Sequence, residues 1–525
     1  MVSKRNAASA TGTLSMEYFF PKKARSKGDE TDVRSDMKDF WAAHSNDATV
    51  ESMMFDTKAS TLTEMESKEI MSMLPNIEGK RILELGAGIG RQTRLFAEKA
   101  SHVTAVDFIE TFVEKNRQSN GHLENVDFIQ ADVTKLDLPE QSYDIVFSNW
   151  LMMYLTDDEV LKLFINTLTW LKEGGYTFFR ESCFGKAGDF DLGENNPTFY
   201  RLPSQYNALF HSAFLPGKKD DDQSRGFEII FSKTLQTYVK VRHSHNQICW
   251  LLQKKRIAEY RGYITFQAFL DNQQYAKKSI PQYERMFGEG SISPGGLERA
   301  KECIKMLALK PGQKVLDVGC GIGGAAFHMA ETYGVEVLGV DLSCNMIEIA
   351  MERAAASKTE NLQVQFEVCD VTRRDFDPNA FDVIYSSHMI VHIADKSSLF
   401  ASLLKWTKPG GKLLISDYYC GNPEDHSEDF KEYVKQRGYT ICTTAEFGEL
   451  LSSAGFINVK VEERTKQFTE ILRSEKKRLQ EKKESFVKDF SAEEYQNILS
   501  SWDNKLKWSE AGHHRLGVFY AEKPE

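Results

Sequence analysis

The chain has 525 residues, 41% hydrophobic and 27% charged, with a formal net charge of −10. That length accommodates two or three domains, and the acidic balance argues against nonspecific nucleic-acid binding, which runs on counterion release by basic patches. No apolar stretch reaches the ~18 residues of a membrane helix, the polar N-terminus does not read as a secretory leader, and eight scattered cysteines without CxxC or Cys/His spacing point away from a metal or a disulfide framework and toward a reducing, cytoplasmic setting.

Residues 1–35 read as a disordered basic tail; the first 27 carry six basic residues and one acid. In it, Phe19-Phe20 followed by Pro21-Lys22-Lys23-Ala24-Arg25 faintly resembles a sliding-clamp docking motif whose glutamine is replaced by Thr13, or a nuclear import signal. Either would make the tail a protein-partner site; accident is the alternative. From 36 to 260, apolar strands at 81–85, 103–107, 126–130, 143–148 and 175–181 alternate with amphipathic segments, the pattern of a parallel sheet wrapped by helices. Gly217 to Asp222 reads as a loop, and 227–232 with 234–241 as an antiparallel edge pair. From 261 to 525 the order repeats, with strands at 314–318, 336–340, 363–368, 381–385 and 411–417, and the charged stretch 473–488 reads as a solvated helix.

Each unit carries the same signature. Arg81-Ile82-Leu83-Glu84-Leu85 runs into Gly86, Gly88 and Gly90; Val315-Leu316-Asp317-Val318 runs into Gly319, Gly321 and Gly323. This is a buried strand turning tightly into a helix beneath a nucleotide-like ligand. Tyr143-Asp144-Ile145-Val146-Phe147-Ser148 matches Phe381-Asp382-Val383-Ile384-Tyr385-Ser386, and Trp170 to Gly175 matches Trp406 to Gly411, so the units are diverged duplicates. An acid two residues before the first glycine would repel a dinucleotide's pyrophosphate. It suits S-adenosylmethionine, which carries an ammonium and a sulfonium. Asp107 and Asp341 end the next strand, where a carboxylate can accept from ribose hydroxyls. Asp132 and Asp370 follow the third, placed to meet an adenine amino group. Helix capping could explain one such acid, but not the repeated set. The expected fold is α/β: two tandem Rossmann-like S-adenosylmethionine-dependent methyltransferase domains, each a mostly parallel seven-stranded sheet flanked by helices.

With these residues in place, the chain from about Phe40 to Lys523 resembles the bidomain phosphoethanolamine N-methyltransferases. The likeness is dense at Leu83–Gly90, Ser148–Leu155, Phe178–Cys183, Asn196–Arg201, Gly288–Glu298, Val315–Gly324 and Gln436–Tyr439. The resemblance implies three methyl transfers, from phosphoethanolamine to phosphocholine. It implies a catalytic pair Tyr275 and His392, lid and cofactor-side residues Tyr283, Ile292 and Ser293, and a phosphate set Tyr418, Arg437, Tyr439 and Lys505. Guanidinium, ammonium and phenols suit a phosphate monoester, and a histidine–tyrosine pair can take the proton an amine must lose before attack. Taken singly, His392 would read as a structural histidine, Tyr418 and Tyr439 as core aromatics and Arg437 as a solvated face residue. The chain departs from the family at Ser387-His388, where Arg-Asp is usual; the missing aspartate is expected to hold the substrate ammonium, so the second unit should favour methylated intermediates. In the first unit Tyr154 aligns with His392 and Ser182 with Tyr418. Arg180, Tyr200 and Arg201 are its candidate phosphate ligands, with Trp41 and His44 as further candidates. Trp150 could present a cation–π face or be core. The expectation is a monomer acting on small phosphobases, the first unit making the monomethyl compound and the second finishing. The alternatives are a tandem methyltransferase for another small molecule, or one unit regulating the other.

Overall fold

The computed structural model describes residues 30–44, 49–185, 196–217, 223–257, 263, 265–357, 359 and 362–525. The tail motif at Phe19-Phe20 and the loop expected at 218–222 lie outside the described residues; residues 30–35, assigned to the tail, belong to the helix Glu30–His44.

The strands are β1 Arg81–Leu85, β2 His102–Asp107, β3 Val126–Gln130, β4 Tyr143–Asn149, β5 Leu171–Ser182, β6 Phe214–Leu215, β7 Arg225–Thr234 and β8 Gln247–Arg256. They continue as β9 Lys314–Val318, β10 Glu336–Asp341, β11 Val364–Cys369, β12 Phe381–Ser387, β13 Thr407–Tyr419, β14 Ile457–Glu463 and β15 Arg515–Glu522. One sheet runs β14-β15-β13-β12-β9-β10-β11-β7-β8-β5-β4-β1-β2-β3. The two units repeat one order within it. In each, five parallel strands (β3-β2-β1-β4-β5 and β11-β10-β9-β12-β13) are extended by an antiparallel pair (β8-β7 and β15-β14). The units join where β7 pairs antiparallel with β11 through Phe231↔Cys369, Ser232↔Val368 and Lys233↔Glu367. Central strands are apolar on both faces because helices cover both: Ile82, Leu83, Val315 and Leu316 are all fully buried. Strand order reverses beside β1 and β9, and the crevice at their carboxyl ends is where such sheets bind ligands.

The edge pair differs from the sequence expectation. β7 forms as anticipated, but 234–241 does not continue as a strand: Gln236–Arg242 is a helix, and the second edge strand is β8. The reason is tertiary. Backbone N–H groups of Gln236 and Thr237 donate to the Glu69 carboxylate at 2.7 and 2.8 Å, capping the helix from a distant element. The stretch 473–488 is helical, in Thr465–Glu481 and Lys483–Asp489, but one face is not solvated: Phe468, Leu472, Glu475 and Leu479 are buried against the second unit.

Candidate active sites

Each unit opens a cavity at the carboxyl end of its parallel strands, about 370 Å³ in the second and about 160 Å³ in the first. Both are floored by the glycine loop, and the two loops are built alike. Gly86, Gly88 and Gly90 have φ of 71°, 54° and 86°; Gly319, Gly321 and Gly323 have 79°, 56° and 87°, a region where only glycine is free of strain. The N–H of Gly88 donates to Asp107 Oδ2 at 2.7 Å, and that of Gly321 to Asp341 Oδ2 at 3.0 Å. A Cβ on Gly88 would meet Met53 Sδ at 2.6 Å, and one on Gly321 would meet Ile292 Cδ1 at 3.0 Å. Met53 therefore covers the first loop as Ile292 covers the second, a role that sequence reading missed. Gly90 and Gly323 lie behind the loops and turn the chain onward.

The paired acids converge as their spacing implies. Glu84, Asp107 and Asp132 line the first cavity; Asp317, Asp341 and Asp370 line the second. Asp317 is buried and its Oδ2 has no hydrogen-bond partner. Burial pushes its carboxyl up to about 8, with Asp341 adding to the effect. Burial likewise raises Glu84 to about 8, against a 2.5 Å hydrogen bond from Thr93 Oγ1. An unpartnered buried carboxylate beside a glycine floor fits a cationic ligand, so the site accommodates S-adenosylmethionine. Asp132 and Asp370 each accept from the residue two positions on, Thr134 N at 3.0 Å and Thr372 N at 2.9 Å.

In the second unit the structure brings Tyr275, Tyr283, Ile292, Ser293, His388, His392, Tyr418, Arg437, Tyr439 and Lys505 to one cavity. One π turn, Leu270–Gln274, delivers Tyr275, whose carbonyl accepts from Asn345 Nδ2 at 2.9 Å. His392 sits on a short 3-10 turn held by Asp417, which accepts the Val391 N–H at 2.9 Å. Its ring packs edge-on against Tyr439 at 5.0 Å and its Nδ1 has no partner. Burial pushes His392 down to about 4, with Arg437 adding to it. Lys505 lies over Trp502, Nζ 4.2 Å from the ring centroid, and burial beside Arg437 lowers it to about 7. Glu475, from the stretch taken as solvated, accepts the Gly295 N–H of the covering loop at 2.9 Å.

The first cavity is different. Trp41, Trp150, Tyr154, Ser182 and Tyr200 line it. Tyr154 ends a 3-10 turn held by Glu181, the counterpart of Asp417, through the N–H groups of Leu151, Met152 and Met153. Two expectations are corrected. Arg180 is fully buried and ion-paired with Glu66 at 2.9 Å, and it donates to Asn149 Oδ1 at 3.0 Å. Arg201 is buried against Asp157 and the carbonyls of Met152 and Leu155. Neither lines the cavity, because buried guanidinium groups take protein acceptors when these are available. His44 also faces elsewhere, its Nδ1 2.7 Å from the Phe40 carbonyl oxygen. The cation among the described lining residues is Arg91, which directly follows Gly90 and which the sequence reading passed over.

Methyltransferase-domain family models match residues 82–175 and 309–501. Phosphoethanolamine N-methyltransferase 3 of Arabidopsis thaliana is 48% identical over 500 residues, covering 95% of this chain and 99% of its own. The phosphoethanolamine N-methyltransferase of Triticum aestivum is 48% identical over 492 residues, covering 93% and 95%. The solved structure of Haemonchus contortus phosphoethanolamine N-methyltransferase 2, in complex with phosphomonomethylethanolamine and S-adenosylhomocysteine, aligns with a TM-score of 0.71 at 28% identity, over 88% of this chain and 99% of that one.

Proposed function

The chain belongs to the phosphoethanolamine N-methyltransferase family, and we infer that it carries phosphoethanolamine through its mono- and dimethyl forms to phosphocholine, using S-adenosylmethionine in two sites borne by about 36–260 and 261–525. The observation that carries this is the joining, in one cavity, of an unpartnered carboxylate at the glycine loop with an anion-binding set, Arg437, Tyr439, Tyr418 and Lys505. Bound at the loop, S-adenosylmethionine supplies an electrophilic methyl group. The residues of the chain do the rest. A phosphate on Arg437 and Lys505 anchors one end of the substrate and orients its nitrogen. It also offsets the Arg437 charge that adds to the burial depressing His392, making that imidazole a better proton acceptor in the cavity it shares with Tyr275.

The reading extends to a division of labour. The first cavity has Tyr154 where the second has His392, and it is also lined by Tyr200 and by Arg91, its candidate anion ligand, which shares the Glu66 carboxylate at 3.6 Å. The first unit makes the monomethyl compound and the second completes the series. The test is a mass-resolved time course with phosphoethanolamine on the intact protein and on variants closed at one loop, Gly88→Val or Gly321→Val. Closing the first site should cut phosphoethanolamine consumption about tenfold or more, and closing the second should accumulate the monomethyl product. A single-site variant that makes phosphocholine from phosphoethanolamine as fast as the intact protein rules the division out.

A further inference from the structure

The duplication lets one corner of the two cavities be compared directly. The residue after β4 is Trp150, and the equivalent residue after β12 is His388. Both have φ of 56°, and both are pinned by their N–H groups, Trp150 to the Arg180 carbonyl at 2.8 Å and His388 to the Ser416 carbonyl at 2.9 Å. A bulky residue holds that conformation only where its surroundings impose it, and here both residues line the cavity.

Beside the two rings the charges have been rearranged, and the arginine involved lines the cavity in the second unit but not in the first. In the first unit β5 supplies Arg180, its guanidinium carbon 3.7 Å from the Trp150 ring centroid, and the helix Ala59–Met73 supplies Glu66 to neutralise it. In the second unit the strand position equivalent to Arg180 is Ser416. The position equivalent to Glu66, eighteen residues before the strand acid in both units, is Arg299. Arg299 is 5% exposed and has no carboxylate within ion-pair distance among the described residues. It donates to Ser416 Oγ and, at 3.1 Å, to His388 Nε2.

An arginine only donates, so His388 Nε2 is the acceptor and the ring proton sits on Nδ1, which is 2.9 Å from Ser387 Oγ. Burial, with Arg299 adding to it, holds His388 well below the ordinary imidazole range. The ring is therefore neutral with both nitrogens engaged, and it offers the cavity carbon edges and faces without a lone pair. We propose that Arg299, acting through His388 as a positioning residue, makes the second cavity select amines that already carry methyl groups. The inference rests on the phosphobase reading above. A primary ammonium brings three N–H groups and a dimethylammonium one, and each buried N–H without an acceptor costs roughly five- to hundredfold in binding. The first cavity lacks this bias, because its buried arginine is neutralised and the indole face attracts an ammonium whatever its substituents.

The test uses the full chain with the first cavity closed by Gly88→Val. The ratio of kcat/KM for phosphoethanolamine to that for phosphodimethylethanolamine is measured in this parent and with Arg299→Met, Arg299→Lys or His388→Asp added. Methionine frees Nε2 as an acceptor. Aspartate supplies a carboxylate acceptor with Arg299 as its counter-ion, so this second variant leaves no unpaired charge. The ratio should rise about tenfold or more in Arg299→Met and in His388→Asp and stay near the parent value in Arg299→Lys, whose ammonium still donates to Nε2. Titration with S-adenosylhomocysteine reports whether each cavity remains formed. An unchanged ratio in both Arg299→Met and His388→Asp overturns the proposal and leaves the functional reading standing. A parent that turns over none of the phosphobases overturns both.

Discussion

Asp317→Asn tests a charge that the fold withholds until a cation arrives. With its carboxyl raised to about 8 by burial, about nine in ten molecules carry the proton at pH 7. An ammonium at the glycine loop needs the ionised form, so cofactor binding to the second site should expel about 0.9 proton from Asp317 at that pH. Ionising the group at pH 7 costs about 1.4 kcal/mol, a factor of about ten in apparent affinity. Affinity should therefore climb about tenfold per pH unit toward 8 and level off above it. The asparagine variant should lose both the expelled proton and the climb, and above pH 8 it should bind about ten- to hundredfold more weakly for want of one charge-assisted hydrogen bond. The assay is isothermal titration calorimetry in two buffers of different ionisation enthalpy, on a chain whose first site is closed by Gly88→Val, since Glu84 is raised to about 8 as well. The cofactor's own α-amino group titrates in this range, so the quantity read is the difference between parent and variant. Equal proton counts in the two proteins would refute the reasoning. Before cofactor binds, the stability sign is opposite. The folded carboxyl holds its proton more tightly than the unfolded one, so its contribution is complete below the unfolded value near 4 and is lost as pH rises through about 8.

Lys505→Met should raise the KM of the second site for every phosphobase by about thirtyfold while leaving cofactor affinity within about twofold, because it removes one charged contact to the anion alone; steady-state kinetics with the first site closed reads both. Arg180→Met should destabilise the protein by about 3 kcal/mol, since it strips the main counter-ion from the fully buried Glu66, and adding Glu66→Gln should restore much of that loss in urea unfolding. A change in KM with unaltered stability would return Arg180 to the list of phosphate ligands. Glu475→Ala frees the Gly295 N–H from its 2.9 Å contact and should weaken cofactor binding by about five- to tenfold; unchanged binding in the calorimeter would show that the covering loop closes without it.

The parts of this architecture that repeat in one dimension could be read directly. Beyond an exposed first residue, β1 and β9 are buried on both faces, and each is apolar but for one acid; those acids and the glycines that follow recur at matching offsets because a strand, a tight turn and a helix start are local events. Alternation alone does not decide the edges. Ile457-Asn458-Val459-Lys460-Val461-Glu462 alternates apolar and polar residues and forms the edge strand β14, where Ile457 and Val461 stay 45% and 39% exposed. Gln236–Arg242 alternates β-branched residues in the same way but is a helix, because the carboxylate that caps it sits on Glu69, far away in the chain.

Charged residues near the cavities show the same limit. Arg437 and Lys505 carry enough family pattern to be assigned to a cavity, but Arg180 and Arg201, in equally dense family motifs, are spent on Glu66, Asp157 and backbone carbonyls. Whether a guanidinium meets a ligand or a carboxylate depends on which acceptor lies within about 3 Å after folding, and a linear spacing does not contain that distance. Family, cofactor and reaction class are thus legible from residues whose neighbours in sequence are also their neighbours in space. Arg91 at one floor, Met53 over one loop, Glu475 behind the other and the Arg299–His388 contact are not, because each joins elements that meet only once the sheet has assembled. A hydrogen bond or an ion pair acquires its partner, and hence its meaning, only then.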